Sequence, residues 1–224
     1  MSKKAFTMIE FVFVIIILGI LASLAMENSN TNLKQKAEDE ILSAIRLARQ
    51  MALIDNKHRP DNNVSWQKAY WRFEYRICTG SGGTKWTYRV GASNDLGLNI
   101  DKRESAIDPV NGKFLYTAGD CNSLQPDESE NVLLTKKFGI KNITMSGCKI
   151  VGGSSTAKHI AFDFFGRPHR GVAGYDKKDE HFSRLVTSDC NITFTMSTDE
   201  DGDGLDDTFS LIVKPETGYA YILD

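Results

Sequence analysis

The chain has 224 residues, 41% apolar, 25% charged and 10% aromatic, with a formal net charge of −2. Those proportions exclude a disordered chain, a collagen and a polytopic membrane protein, and the length suits one domain or two small ones. The four cysteines all lie beyond residue 77 and could pair in three ways in an oxidising compartment.

The N-terminus carries the densest signal. Met1-Ser2-Lys3-Lys4-Ala5 precedes Phe6-Thr7-Met8-Ile9-Glu10, and an uncharged apolar run from Phe11 to Met26 follows, interrupted only by Gly19 and Ser23. As a helix, 6–26 would span about 31 Å, against ~30 Å for the hydrocarbon core of a bilayer. A secretory signal peptide fits poorly, because no small-residue cleavage site follows the run. A plain anchor would hold Lys3 and Lys4 in the cytoplasm and send the rest outside. Glu10 asks for more than either, since a carboxylate near the start of a spanning helix costs roughly 2–3 kcal/mol or more unless paired. A neighbouring copy's N-terminal amine, freed by cleavage close to Glu10, is a suitable partner.

Lys3-Lys4-Ala5-Phe6-Thr7-Met8-Ile9-Glu10 with the run behind it resembles the type IV prepilin leader. The resemblance implies cleavage between Ala5 and Phe6 on the cytoplasmic side by a prepilin peptidase, then N-methylation of Phe6. Glu10 would serve processing and assembly. Ala5 stands where the family usually has glycine. Cleavage would remove Lys3 and Lys4 and take the charge from −2 to −4.

Glu27-Asn28-Ser29-Asn30-Thr31-Asn32 is poor in helix formers, because short polar side chains compete for backbone hydrogen bonds. A melted hinge and a solvated helix of low propensity are equally open readings. Leu33, Ala37, Ile41, Ile45, Ala48 and Ala52 then recur at helical spacing, with Leu42, Ala44, Met51 and Ile54 broadening the stripe. This predicts a helix to about residue 54 that lays its apolar face on a sheet.

Beyond Asn56 the period changes. Trp71 to Cys78 alternates, Gly80-Ser81-Gly82-Gly83 is a turn, and Trp86 to Val90 returns as a strand. The glycine turn before Lys85 lacks the spacing of a phosphate-binding loop. Residues 91–131 read as a long insertion with little regular structure. Further strands are predicted over 143–150, 159–165, 190–196, 208–213 and 219–223. The fold class is α+β: a long N-terminal hydrophobic helix packed through its second half on an antiparallel sheet. The expected parts are a leader (1–5), a membrane-spanning or filament-core helix (6–26), hinge and amphipathic helix (27–54), and an exported head (55–224).

His159-Ile160-Ala161-Phe162-Asp163-Phe164-Phe165-Gly166-Arg167-Pro168 and the stretch from Phe209 to Tyr219 look like parts of minor pseudopilins of the H type. On the exported side disulfides are expected, each worth about 2–4 kcal/mol. The pairing expected is Cys148–Cys190, both beside predicted strands, and Cys78–Cys121, which would tether the insertion. No C-x-x-C pair is present, which disfavours zinc.

Asp199-Glu200-Asp201-Gly202-Asp203-Gly204-Leu205-Asp206-Asp207 fits D-x-D-x-D-G-x-x-D. The carboxylates of Asp199, Asp201 and Asp203 can converge on a hard cation, Gly204 permits a sharp turn, the Leu205 carbonyl can face the metal, and Asp207 can complete the set. Calcium is expected, with an affinity of about 0.1–1 mM. The helix–loop–helix pattern fails, because Ser210 stands where a bidentate glutamate belongs and the loop joins two strands. A solvated acidic hairpin tip is the plain alternative.

Residues 136–184 carry a net charge of +6, with Arg167, His169 and Arg170 densely placed after Gly166. They are candidate DNA contacts, whose binding would fall steeply with salt. A solvated basic face, or one paired with an acidic neighbour, is the simpler reading. His58, His159, His169 and His181 show no H-E-x-x-H spacing and no G-x-S-x-G occurs, so no enzyme is expected.

The expectation is a minor subunit of a type II secretion or type IV pilus filament. It would wait as a single-pass protein in the lipid of a bacterial inner membrane, with its head in the periplasm. A membrane assembly platform would then move it among other pilin subunits into a periplasmic or extracellular filament. The alternatives are a competence pilin that grips DNA and an unprocessed, calcium-stabilised surface protein with one span.

Overall fold

A computed structural model describes residues 8–59, 64–80, 83–118, 121, 123–174, 182–199 and 204–223. Helix α1 covers Met8–Ile54, 47 residues. Eight strands follow: β1 Trp71–Gly80, β2 Gly83–Gly91, β3 Ile140–Gly147, β4 His159–Phe162, β5 Pro168–His169, β6 Cys190–Met196, β7 Thr208–Val213 and β8 Ala220–Leu223. A short helix α2, Leu134–Phe138, precedes β3. The strands form two four-stranded antiparallel sheets, ordered β2-β1-β4-β5 and β3-β6-β7-β8. The chain is therefore α+β with antiparallel sheets.

One expectation for the helix needs correction. Its backbone runs through 27–32 without a break, so the low propensity of those residues does not melt a turn. Each costs only a few tenths of a kcal/mol relative to a good helix former, and helix propagation is cooperative. The apolar span expected over 6–26 reaches outside the described residues. Among those described, no helix is long and apolar enough to cross a membrane.

Strand limits are set by turn chemistry. β3 ends at Gly147, where Gly147 and Cys148 both take positive φ (69° and 49°). β4 ends three residues earlier than predicted, because Asp163 opens a turn. Its carboxylate accepts the amides of Phe165 (3.0 Å) and Arg167 (2.9 Å), and Gly166 closes the turn at φ 77°. In β6, Ile192, Phe194 and Met196 point inward, while Asn191, Thr193 and Thr195 alternate on the wetter face. Phe194 stacks on its cross-strand partner Phe209 at 4.9 Å.

The second half of α1 is the centre of the core. It packs on β1, β2 and β4 of one sheet and on β7 and β8 of the other. Ala37, Ile41, Ala44, Ile45, Ala48 and Ala52 are buried. Four of these six are alanines, so the helix axis can approach both sheets closely. Polar contacts fix its register. The Tyr88 hydroxyl donates to Glu40 (2.7 Å) and the Trp71 indole to Asp55 (2.9 Å). Arg46 and Arg49 donate to the carbonyls of Ala220 (3.0 Å) and Thr217 (2.8 Å). A Cβ on Gly218 would lie 2.1 Å from the Gly166 carbonyl oxygen, so glycine is required where the turns after β4 and β7 meet.

The insertion at 91–131 is as irregular as expected, yet it is tied down from beneath. Arg89, 3% exposed, donates to the carbonyls of Ile100 (3.1 Å) and Thr117 (2.6 Å) and lies over the Tyr116 ring. Arg72, fully buried, reaches the carbonyls of Lys68 and Leu98 and the Glu74 carboxylate. Buried Asp108 accepts from the Ser129 hydroxyl and from the side-chain amides of Asn111 and Asn131. Disulfides join Cys78 to Cys121, which anchors the insertion on β1, and Cys148 to Cys190, which joins the end of β3 to the start of β6. Each closes a loop of more than 40 residues, worth about 4 kcal/mol by chain entropy.

His159 is a buried base. Its Nε2 accepts the amides of Gly171 and Val172, both at 3.1 Å. Burial, with the nearby cations of Arg72, Arg170 and Arg184, pushes its pKa down to about 3.

Two outcomes are expected. Ile45→Ala removes a fully buried side chain of α1 and should lower unfolding free energy by about 2–5 kcal/mol in urea titrations. The unfolded chain protonates His159 below its ordinary pKa of about 6.5, whereas the folded chain does not. Stability should therefore fall as pH drops from 6.5 towards 3, by up to about 1.4 kcal/mol per unit from this group. His159→Gln keeps an acceptor for the two amides and should flatten that slope; an unchanged slope would contradict the assignment.

Candidate functional site

Two parts of the surface stand out from the packed head, and a third place that the sequence singled out does not. The first is the free half of α1. The side chains of Met8–Ala22 are all exposed, and the large ones among them include Ile9 (76%), Phe11 (60%) and Phe13 (66%). The apolar surface goes all the way round this half, unlike the one-sided stripe of the second half. An exposed apolar surface of this extent marks a place of contact with another apolar surface. Glu10 sits exposed in the first turn, where the positive end of the helix dipole favours a carboxylate. Ala5 and Phe6, the expected processing site, lie outside the described residues.

The second is the loop between β6 and β7. Asp201 and Asp203 lie outside the described residues; Asp199, Leu205 and Asp207 are placed. The Asp199 carboxylate folds back to accept the Gly204 amide (2.9 Å), and Gly204 takes φ 81°. Asp207 closes the loop base, donating its amide to Thr198 (2.8 Å) and accepting from the Met196 amide (2.8 Å). This brings the two ends of the acidic motif together. Asp206 is drawn aside into an ion pair with Lys141 of β3. Among the described residues no group of three or more metal-ligating side chains converges.

The third place, the basic cluster, requires a correction. His169 is fully buried and Arg170 is 6% exposed. The Arg170 guanidinium donates to the Ala157 carbonyl (3.0 Å). Arg167 is half-buried, paired with Asp163 at 2.8 Å and flanked by the rings of Phe165 and Phe182. Asp163 also receives His169 Nε2 at 3.2 Å. Burial alone would raise the Asp163 carboxyl, but hydrogen bonds from His169 and Arg167 hold it below the usual carboxylate range. Arg167, His169 and Arg170 thus organise the turn after β4 and do not form a phosphate-gripping patch. Sequence reasoning missed Asp163 as the organiser, although an acid followed by a glycine three residues later is a legible turn signal.

Comparison with known proteins returns one partial likeness. Over 66 residues the chain is 40% identical to type II secretion system core protein G of Escherichia coli (strain K12). The matched stretch covers 28% of this chain and 45% of that protein, so the chain spans less than half the length of the relative it matches. No family model matches the chain, and no solved structure does. The likeness to a secretion-system protein rests on this stretch.

Proposed function

We propose that the chain is a minor pilin-type subunit of a type II secretion or type IV pilus filament. The observation that carries this reading is the division of α1. One half is a packed, amphipathic scaffold for the head, and the other is a bare apolar rod with a single carboxylate near its tip. The partial likeness to a secretion-system core protein supports the same conclusion.

The residues then have separate tasks. The apolar side chains from Phe11 onward dissolve the rod in the inner membrane before assembly, within a span at 6–26 that takes in residues beyond those described. In the filament they pack against the same surface of neighbouring pilin subunits. Prepilin peptidase cuts between Ala5 and Phe6 and the new amine is methylated. Glu10 then meets a neighbour's N-terminal amine in a low-dielectric setting, where a mismatch of register leaves a charge uncompensated and costs several kcal/mol. The head is carried on the periplasmic side, where its two disulfides are stable, and an inner-membrane platform drives its extraction. The chain acts structurally and is not an enzyme.

Calcium belongs to the same proposal. Asp199, Asp201, Asp203, Asp207 and the Leu205 carbonyl would hold it, and it would offset the mutual repulsion of the acids and pin the β6–β7 connection.

The intact mass of the protein extracted from its native membrane should equal residues 6–224 plus one methyl group. A mass that retains Lys3 and Lys4, in cells with an active prepilin peptidase, overturns the filament reading. For calcium, ~1 mM metal against a Kd of ~0.1 mM should add about 1.4 kcal/mol of stability. Chelation should remove it, and the double change Asp199→Asn, Asp207→Asn should abolish the response. A chain whose melting temperature ignores calcium does not bind it in this range.

A further inference from the structure

β1 is ten residues long, but its two neighbours do not cover it equally. β2 pairs with it from Arg72 to Gly80, whereas β4 pairs only from Trp71 to Glu74. A last contact on the β4 side is the Tyr75 amide donating to the Lys158 carbonyl at 3.0 Å, after which the chain before β4 turns away. Because the Tyr75 N–H points to that side, strand alternation points the N–H and C=O of Ile77 and Thr79 the same way. Among the described residues no backbone hydrogen bond reaches them there. A groove of about 320 Å³ runs along this open edge, lined by Glu74 to Ile77 on one flank and by Leu98, Lys158, His159 and Ala173 on the other.

The groove has the chemistry of a docking site. An unpaired strand edge is a template for a further strand, and proteins usually blunt or cover such edges. Ile77 (37% exposed) and Leu98 (62%) offer apolar contacts. Among the described residues the cations outnumber the acids. Lys158 is exposed at the rim and Arg76 is half-exposed. Arg72 and Arg170 lie beneath, close enough to depress His159. Among the described residues Glu74 is the one acid lining the groove, and it is already engaged by Arg72 (3.1 Å) and Arg76 (3.8 Å).

We infer that the open edge of β1 beyond Glu74 binds an extended, carboxylate-bearing segment of another protein, which adds as a strand beside Tyr75–Thr79. Backbone bonds to Ile77 and Thr79 supply the register, apolar side chains on one face of the segment meet Ile77, and acids meet Arg76 on the opposite face and Lys158 at the rim.

The test uses the full chain in detergent micelles and a fluorescein-labelled heptapeptide of alternating glutamate and valine. Two companion peptides carry lysine in place of glutamate, or N-methyl groups on the amides of the bonding edge. The glutamate peptide should bind with an affinity that falls as salt rises. The lysine peptide, the methylated peptide and the variant Lys158→Glu should each bind about tenfold more weakly or worse. Bound peptide should slow amide exchange at Ile77 about tenfold. Ile77→Pro removes the edge donor without touching a bond to β2 and should abolish binding. Lys158→Glu, at an exposed position, guards against a proline variant that fails to fold. Equal binding of the lysine or methylated peptide, or none up to millimolar concentration, overturns the proposal. A dimer of the free chain that Lys158→Glu disperses would also overturn it, by showing that the edge pairs with a second copy.

Discussion

Everything in the head depends on one helix surface that two sheets share. The sheets exchange no strand; Leu185 and Val186 bridge His169 of β5 to Ile150 just past β3, and the Trp86 indole of β2 donates to the Lys141 carbonyl of β3. The sheets meet over Ile41, Ile45 and the alanines between and beyond them. Alanine matters here because bulk would push one sheet away from the other's side of the helix. The apolar term is non-directional, so the register comes from the polar ring of Glu40, Arg46, Arg49 and Asp55. Each of these joins the helix to a specific atom of a strand or turn.

Because α1 is continuous, its packed half fixes the direction of its bare half. A helix of 47 residues is about 70 Å long. Its free apolar end therefore projects well beyond the head, with no break between them. A load applied to one end reaches the other through backbone hydrogen bonds.

The fate of the basic residues shows how a charge count can mislead. Residues 136–184 hold a net +6, yet Arg170 is buried and Arg167 is neutralised by Asp163. Arg72 and Arg89, outside that segment, are likewise sunk in the head as donors to loop carbonyls. Arginine suits this use, since its planar fork satisfies several carbonyls at once. The irregular insertion is ordered by these buried forks, by Asp108 and by a disulfide, in place of strands of its own.

The sequence by itself determined the α+β class and the amphipathic stripe of the second helical half. It also determined the hairpin at Gly80–Gly83 and the bounds of β6 and β7. In each case the decisive terms are local: a period of 3.6 or 2, or a glycine where φ must be positive. It carried the apolar character of the rod for the same reason, since hydropathy is additive along the chain. Only the tertiary structure decided that the helix continues through Glu27–Asn32, because cooperativity outweighs five modest propensities. The burial of Arg170 and His169 and the open edge of β1 were decided at that level too. These depend on which distant segments meet, and no local pattern encodes that β4 stops four residues into a ten-residue neighbour.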